Sequence, residues 1–150
     1  MPMRLQDLAS TIVAVVEPET SALVAAQLMR RHHVGALVVV DAKEKSRPVG
    51  IVTDRDLVLA LMAEGLDPAI FTAGDIMSVE PVLATLETDL MDAIDLMRVN
   101  GLRRLIMVDD EGRLAGIATM EDLLELLTQE LSALTGALRG ARDREFAQRR

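Results

Sequence analysis

The chain has no cysteine, no tryptophan and no tyrosine, and its only two phenylalanines are Phe71 and Phe146. Without thiols there is no thiol nucleophile, thiolate zinc site or iron–sulfur ligation. Without tyrosine or tryptophan there is no aromatic platform on which single-stranded bases could stack, so a nucleobase held here must lie among aliphatic side chains and backbone groups. Positive charge is also short: the formal net charge is −8 and the pI is near 4.7, which argues against steering toward DNA or RNA. No apolar run approaches the roughly 20 residues that a membrane helix requires, stretches such as Val34 to Val40 falling far short, so no membrane association is expected. Asp7 comes before any apolar stretch that could form a signal-sequence core, and the expected location is cytoplasmic.

What is present is apolar content and repetition. Half of the 150 residues are apolar, and a chain this long buries roughly 68 to 70 per cent of its unfolded surface, enough to fold without a disulfide or metal. Shifting the sequence by 68 positions superposes Glu19-Thr20 on Glu87-Thr88, Leu28-Met29-Arg30 on Leu96-Met97-Arg98, and Val40-Asp41 on Val108-Asp109. After the polar turn Ala42 to Arg47 the offset becomes 66, and Gly50-Ile51, Thr53 and Asp56-Leu57 meet Gly116-Ile117, Thr119 and Asp122-Leu123. Internal repetition at a fixed period means tandem structural units.

Each unit reads alike by hydrophobic period. A short strand (Ile12 to Val16; Val82 to Ala84) leads to a helix with apolar positions at Ala22, Ala25, Ala26 and Met29, or at Leu90, Ala93, Ile94 and Met97. Thr20 and Thr88 are placed to cap those helices. Two further strands surround a polar turn, and a second helix starts after Thr53 or Thr119. The expected fold is α/β (α+β): two tandem β-α-β-β-α repeats, residues 5–66 and 75–130, with a linker at 67–74 and a C-terminal helix and charged tail at 131–150. Each unit is too small to cover both faces of its sheet, so the two are expected to pack on each other as a pseudo-twofold pair.

The strand-to-helix junctions Gly50-Ile51-Val52-Thr53-Asp54-Arg55-Asp56 and Gly116-Ile117-Ala118-Thr119-Met120-Glu121-Asp122 carry the most information. Thr-x-x-Asp is the pattern of a capping box, with threonine at the N-cap and the acid at the third helical position. A helix N-terminus at the carboxyl end of a strand also suits anions and sugar hydroxyls. A carboxylate there accepts from both hydroxyls of a ribose, and a threonine hydroxyl donates to a phosphate or ribose oxygen.

With the repeat, the doubled Gly-hydrophobic-x-Thr-x-x-Asp motif and the Asp-Ile-Met-Ser run at Asp75 to Ser78, the chain resembles a tandem pair of CBS domains, the Bateman module, over roughly residues 5–130. The resemblance implies a stand-alone regulatory sensor with two clefts between the copies that take adenosine-containing ligands such as AMP, ADP, ATP, S-adenosylmethionine or NAD. Carried onto this sequence, Asp56 and Asp122 would hold ribose hydroxyls, and Thr53 and Thr119 ribose or phosphate oxygens. Thr11-Ile12-Val13 and Glu80-Pro81-Val82 would edge the adenine. The family also implies a homodimer, and regulation exerted on another, unidentified protein.

The phosphate preference should follow the basic residues. The first copy has Arg55 within its motif and Gly35-Ala36 entering the next strand, while the second has Glu121 and Arg103-Arg104. The two clefts are therefore expected to differ, with Arg55 the first candidate for a phosphate contact and the Glu121 site disfavoured for an anion. His32 and His33 are adjacent, about 100 degrees apart on a helix, and do not form a metal pair. They suit a helix C-terminus, with His33 able to face a phosphate. No nucleophile and base stand in a catalytic spacing, so the reading is non-enzymatic.

Beyond the repeat, Leu127, Leu131, Leu134 and Leu138 form a stripe at spacings of 4, 3 and 4 that would pack on the core or on a second chain. Gly136 and Gly140 each cost about 1 kcal/mol relative to alanine, and the helix is expected to weaken there. The last 20 residues carry five arginines against Asp143 and Glu145, a net of +3, leaving −11 for residues 1–130. A rival reading is a ligand-free dimerisation or interaction module whose motifs are helix caps only. A third is RNA binding through the arginine tail.

Overall fold

In the computed structural model, residue 4 and residues 14–79 and 81–148 are described. Strand β1 (Val15–Val16) pairs in parallel with β2 (Ala36–Val40), Val15 opposite Val38, and α1 (Ala22–His32) connects them. A tight turn cannot join parallel neighbours, so the intervening helix is a geometric need. β3 (Pro48–Thr53) returns antiparallel to β2, and α2 (Asp54–Asp56) runs on into a π-helical stretch, Leu57–Met62. After α3 (Ala73–Ile76), β4 (Ser78–Val79) pairs with β3.

The second half repeats the order with β5 (Leu83–Thr85), α4 (Leu90–Asn100), β6 (Arg104–Val108), β7 (Leu114–Thr119) and α5 (Met120–Gln148). Leu83 opposite Ile106 reproduces Val15 opposite Val38 at the 68-residue offset. Among the described residues the sheets run β1-β2-β3-β4 and β5-β6-β7, the mixed α/β fold that the repeat predicts.

Each helix buries small residues against its own sheet. Ala25 and Met29 of α1 pack on Leu37, Val39 and Val52, and Ala93 and Met97 of α4 on Leu105, Met107 and Ala118. Alternate residues of β2 and β6 face the other way: Val38, Val40 and Ile106 form a separate buried cluster with Ile51 and Leu114 against it. Both faces of the central strands are thus covered, which is why they read as unbroken apolar runs. The N–H of Leu114 donates to the carbonyl of Ser46 at 2.6 Å, a second tie between the halves.

Several local expectations change. The N-caps of α1 and α4 are Ser21 and Asp89, not Thr20 and Thr88, because their side chains accept from the N–H of Val24 and Asp92. Thr88 instead accepts from the N–H of Thr85 through its hydroxyl, closing the preceding turn, and the carbonyl of Thr20 accepts from Ala73. The strand expected at Val82 to Ala84 lies one residue later. α5 passes through Gly136 and Gly140 unbroken to Gln148 rather than weakening there.

The segment between the repeats is tied to the first one. Ala22 donates to the carbonyl of Phe71, Leu23 to that of Pro68, and Gly74 to that of Pro18. A side chain at Gly50 would put its Cβ 2.5 Å from Met77 Sδ and 2.9 Å from the Ser78 carbonyl, so glycine is what lets β4 reach β3. Ser21 bridges Thr72, and Arg4 bridges Asp89, positions related by the same offset of 68. Arg4 therefore lies on the second repeat and Thr72 on the first, and Asp75 to Ser78 belong spatially with the first sheet.

The turns after β2 and β6 are fixed by equivalent acids. Asp41 accepts from the N–H groups of Glu44 and Lys43, which hold its carboxyl below the ordinary value of 3.8. Asp109 is held down by the N–H of Arg113 and then by that of Glu111 and the Arg113 side chain. Both lowered groups contribute stability that is present above the unfolded value and lost as the pH falls through the folded one.

Candidate functional site

A cavity of about 600 Å³ opens between the two halves, within the size range of small-molecule sites. From the first half it is lined by Ile51, Thr53, Asp54, Arg55, Asp56 and Ser78, and from the second by Gly101, Leu102, Arg103 and Arg104. Thr53 is the last residue of β3 and Asp56 completes the first turn of α2, so the junction that the motif marks forms one wall.

The capping box is fully made. Asp56 Oδ2 accepts from the Thr53 N–H at 2.8 Å, and Thr53 Oγ1 accepts from the Asp56 N–H at 3.2 Å. A carboxylate has about four lone-pair sites on its two oxygens, so capping leaves Asp56 with acceptor capacity toward the cavity. The same box closes Thr119 with Asp122, at 3.4 and 3.1 Å, over the start of α5. A further Thr-x-x-Asp, Thr72 to Asp75, makes it again at 2.9 and 3.2 Å under α3, and neither residue lines the cavity. Spacing alone therefore makes a helix cap. Placement at the seam between the sheets makes a candidate site.

The opposite wall is basic. Arg104 begins β6, and Arg103 precedes it after the left-handed Gly101 (φ 64) that ends α4. The Asp54 N–H donates to the Gly35 carbonyl at 2.9 Å, and at the equivalent place Met120 donates to the Arg103 carbonyl at 2.8 Å. A Cβ on Gly35 would stand 3.0 Å from Arg104 Nη2 and 3.2 Å from Asp54 Oδ2. The missing side chain at Gly35 leaves room for both groups. None of the ion pairs among the described residues engages Arg55, Arg103 or Arg104.

The two basic features that the sequence assigns to different copies thus meet. Arg103-Arg104 do not compensate Glu121 in a site of their own copy; they face the first copy's Thr53, Arg55 and Asp56. The repeat offsets put Gly35, Ala36 and Glu121 at the positions matching Arg103, Arg104 and Arg55. The cationic groups are gathered on one side of the pseudo-twofold axis.

Other sequence candidates lie elsewhere. Thr119 and Asp122 cap α5 and do not line the cavity, Pro81 is half-buried, and Val82 packs against the second core. Ile12 and Val13 lie outside the described residues. His33 closes α1 in a left-handed conformation (φ 53), where Gly101 closes α4. Ile51, Asp54, Ser78, Gly101 and Leu102 are wall residues that the sequence reading did not single out. Ile51 and Asp54 are inside the motif, whereas Ser78 reaches the site only through the pairing of β4 with β3. Among the described residues no cluster of histidine, aspartate and glutamate fits a metal ion, and no helix is long and apolar enough to cross a membrane.

Comparison with known proteins gives a consistent picture. The model of the CBS domain family matches residues 5–63 and 73–129. The uncharacterized protein MK0525 of Methanopyrus kandleri is 44% identical over 111 residues, which are 73% of this chain and 55% of that protein, so the match spans about half of that relative. The CBS domain protein PAE2072 from Pyrobaculum aerophilum, solved in complex with AMP, superposes with a TM-score of 0.76 at 25% identity, over 84% of this chain and 99% of that one. CBSX2 from Arabidopsis thaliana, also in complex with AMP, gives 0.71 at 29% identity over 85% and 97%.

Proposed function

The chain belongs to the CBS domain family as a tandem pair, and from that premise we propose that it is a regulatory module that binds an adenosine nucleotide between its two repeats and signals occupancy to a partner protein. The observation that carries this reading is the meeting of Thr53, Arg55 and Asp56 with Arg103 and Arg104 across one cavity. Asp56 accepts from the ribose hydroxyls and Thr53 donates to a sugar or phosphate oxygen, as their chemistry allows. The three arginines receive the phosphates by charge-assisted bonds. Ile51 and Leu102 supply aliphatic surface for the base, in a chain without tyrosine or tryptophan. The AMP complexes of two similar structures support the ligand class.

Both repeats contribute to the walls, so a bound nucleotide favours the relative arrangement in which its contacts to both are made. It shifts that equilibrium only by its difference in affinity between arrangements. Glu121 and Asp122 leave the matching position of the second repeat acidic, and an anionic ligand accordingly prefers the first cleft, with Thr119, Asp122, Pro81, Val82, Ile12 and Val13 assigned to the second or to the adenine edges.

The test is calorimetric titration with AMP, ADP and ATP. The wild-type chain should bind, and Arg103→Ala with Arg104→Ala should weaken the tightest of them about tenfold to a hundredfold, since hydrogen bonds to charged groups contribute about 1.5–3 kcal/mol each. Heat-free titrations with all three at millimolar concentration would leave the ligand-free interaction module as the reading. The caps give an independent control. Thr53→Ala and Thr72→Ala should each lower unfolding stability in urea by about 0.5–2 kcal/mol, and only Thr53→Ala should change nucleotide affinity.

A further inference from the structure

The cavity holds one more acid than the nucleotide reading uses. Arg55, Arg103 and Arg104 line it together with two carboxylates, Asp54 and Asp56. Asp56 closes the capping box on Thr53 and serves the ribose. Asp54 has no such part. Its N–H donates to the Gly35 carbonyl at 2.9 Å, but at the equivalent junction the N–H of Met120 makes the same bond to Arg103 at 2.8 Å from a residue without a carboxylate. The backbone of the junction therefore does not need an acid at this position.

The Asp54 side chain stands at the basic wall. Its Oδ1 accepts from the Arg55 N–H at 2.8 Å, and its Oδ2 lies on the side of Gly35. There Oδ2 is 3.2 Å, and Arg104 Nη2 3.0 Å, from the point that a Cβ on Gly35 would occupy. Because residue 35 is glycine, the acid and the guanidinium share one corner of the cavity, and none of the ion pairs among the described residues joins them.

The electrostatic consequence depends on the charge of the ligand. A phosphate monoester carries about −1.5 to −2 at pH 7 and can set that charge against Arg55 and Arg103, while Arg104 has Asp54 beside it. Each further phosphate brings negative charge into a pocket whose remaining guanidinium already faces a carboxylate, and like charges a few ångströms apart repel.

We infer, on the reading that this cavity is the nucleotide site, that Asp54 is a specificity-determining residue that sets the site for a nucleoside monophosphate and against the di- and triphosphate.

Calorimetric titration of the full chain with adenosine, AMP, ADP and ATP in metal-free buffer tests it, comparing the wild type with Asp54→Asn, which keeps the shape of the side chain and an oxygen for the Arg55 N–H. The wild type should bind ATP about tenfold or more weaker than AMP, with ADP between them, and the variant should bring ATP to within about threefold of AMP, as expected for the loss of one exposed charge. Adenosine brings no phosphate and should bind both proteins alike, whereas a purely structural role for Asp54 would weaken all four ligands together and sink the inference. ATP bound as tightly as AMP by the wild type also overturns it, and leaves the nucleotide site standing. So does a preference for AMP that persists in Asp54→Asn, which would make room rather than charge the discriminator. ATP binding that tightens beyond that of AMP on adding magnesium, and loses the gain in Asp54→Asn, would make the acid a metal ligand and overturn it too. Titrations without heat for any of the four would remove the nucleotide reading, and the inference with it.

Discussion

Asp56→Ala should erase the rise in melting temperature that AMP confers on the wild-type chain, while Asp122→Ala should keep most of it. A ligand present at a hundred times its dissociation constant stabilises the folded state by about 2.7 kcal/mol, which for a chain of this size is roughly 5 to 10 °C in the midpoint. Both substitutions remove the acid of a capping box, so each lowers the ligand-free midpoint by a comparable, smaller amount. What separates them is the ligand-dependent increment, read as the difference between dye-monitored melts with and without AMP. Only Asp56 shares a cavity with three arginines. Equal increments in the two variants would show that the ribose is not held at the first repeat's motif.

Ile106→Ala should cost about 2–5 kcal/mol of unfolding free energy, the range for truncating a large buried aliphatic residue. Ile106 is 2% exposed and meets Val38 and Val40 at the contact between the two sheets. The loss therefore falls on the joint between repeats, whose own cores, around Leu37 and Leu105, are left intact. Urea unfolding should remain a single transition with a lower midpoint, because neither repeat covers both faces of its sheet alone. Nucleotide affinity should fall as well, since the arginine wall and the Thr53–Asp56 wall are carried by different repeats. A split into two transitions with binding retained would mean that the repeats fold independently and that the joint does not position the cavity.

The repeat was legible because equivalent residues do equivalent work. Val38 and Ile106, Asp41 and Asp109, and Ser21 and Asp89 occupy matching positions and make matching contacts. Element types followed from apolar period, but the caps moved by one residue, because which of two adjacent polar side chains reaches a backbone N–H depends on the dihedral angles of the turn. The sequence reading singled out Thr-x-x-Asp at Thr53 and Thr119 and passed over the same spacing at Thr72, where Thr72 and Asp75 cap α3 away from the cavity that Thr53 and Asp56 line. Local spacing encodes a local hydrogen-bond pattern and carries no information on what stands opposite.

The sequence by itself determined the doubled β-α-β-β-α unit, the strand-to-helix junctions and the scarcity of cationic groups, because these are written in residue type and short-range period. The tertiary structure alone decided that Arg103 and Arg104 face Arg55 rather than Glu121, and that the segment before the second repeat completes the first sheet. Each of these depends on the packing of Val38, Val40 and Ile106 across the pseudo-twofold axis, or on where a chain segment crosses from one repeat to the other. Such long-range placements follow from the burial of both faces of two sheets at once, a condition that no single stretch of sequence contains.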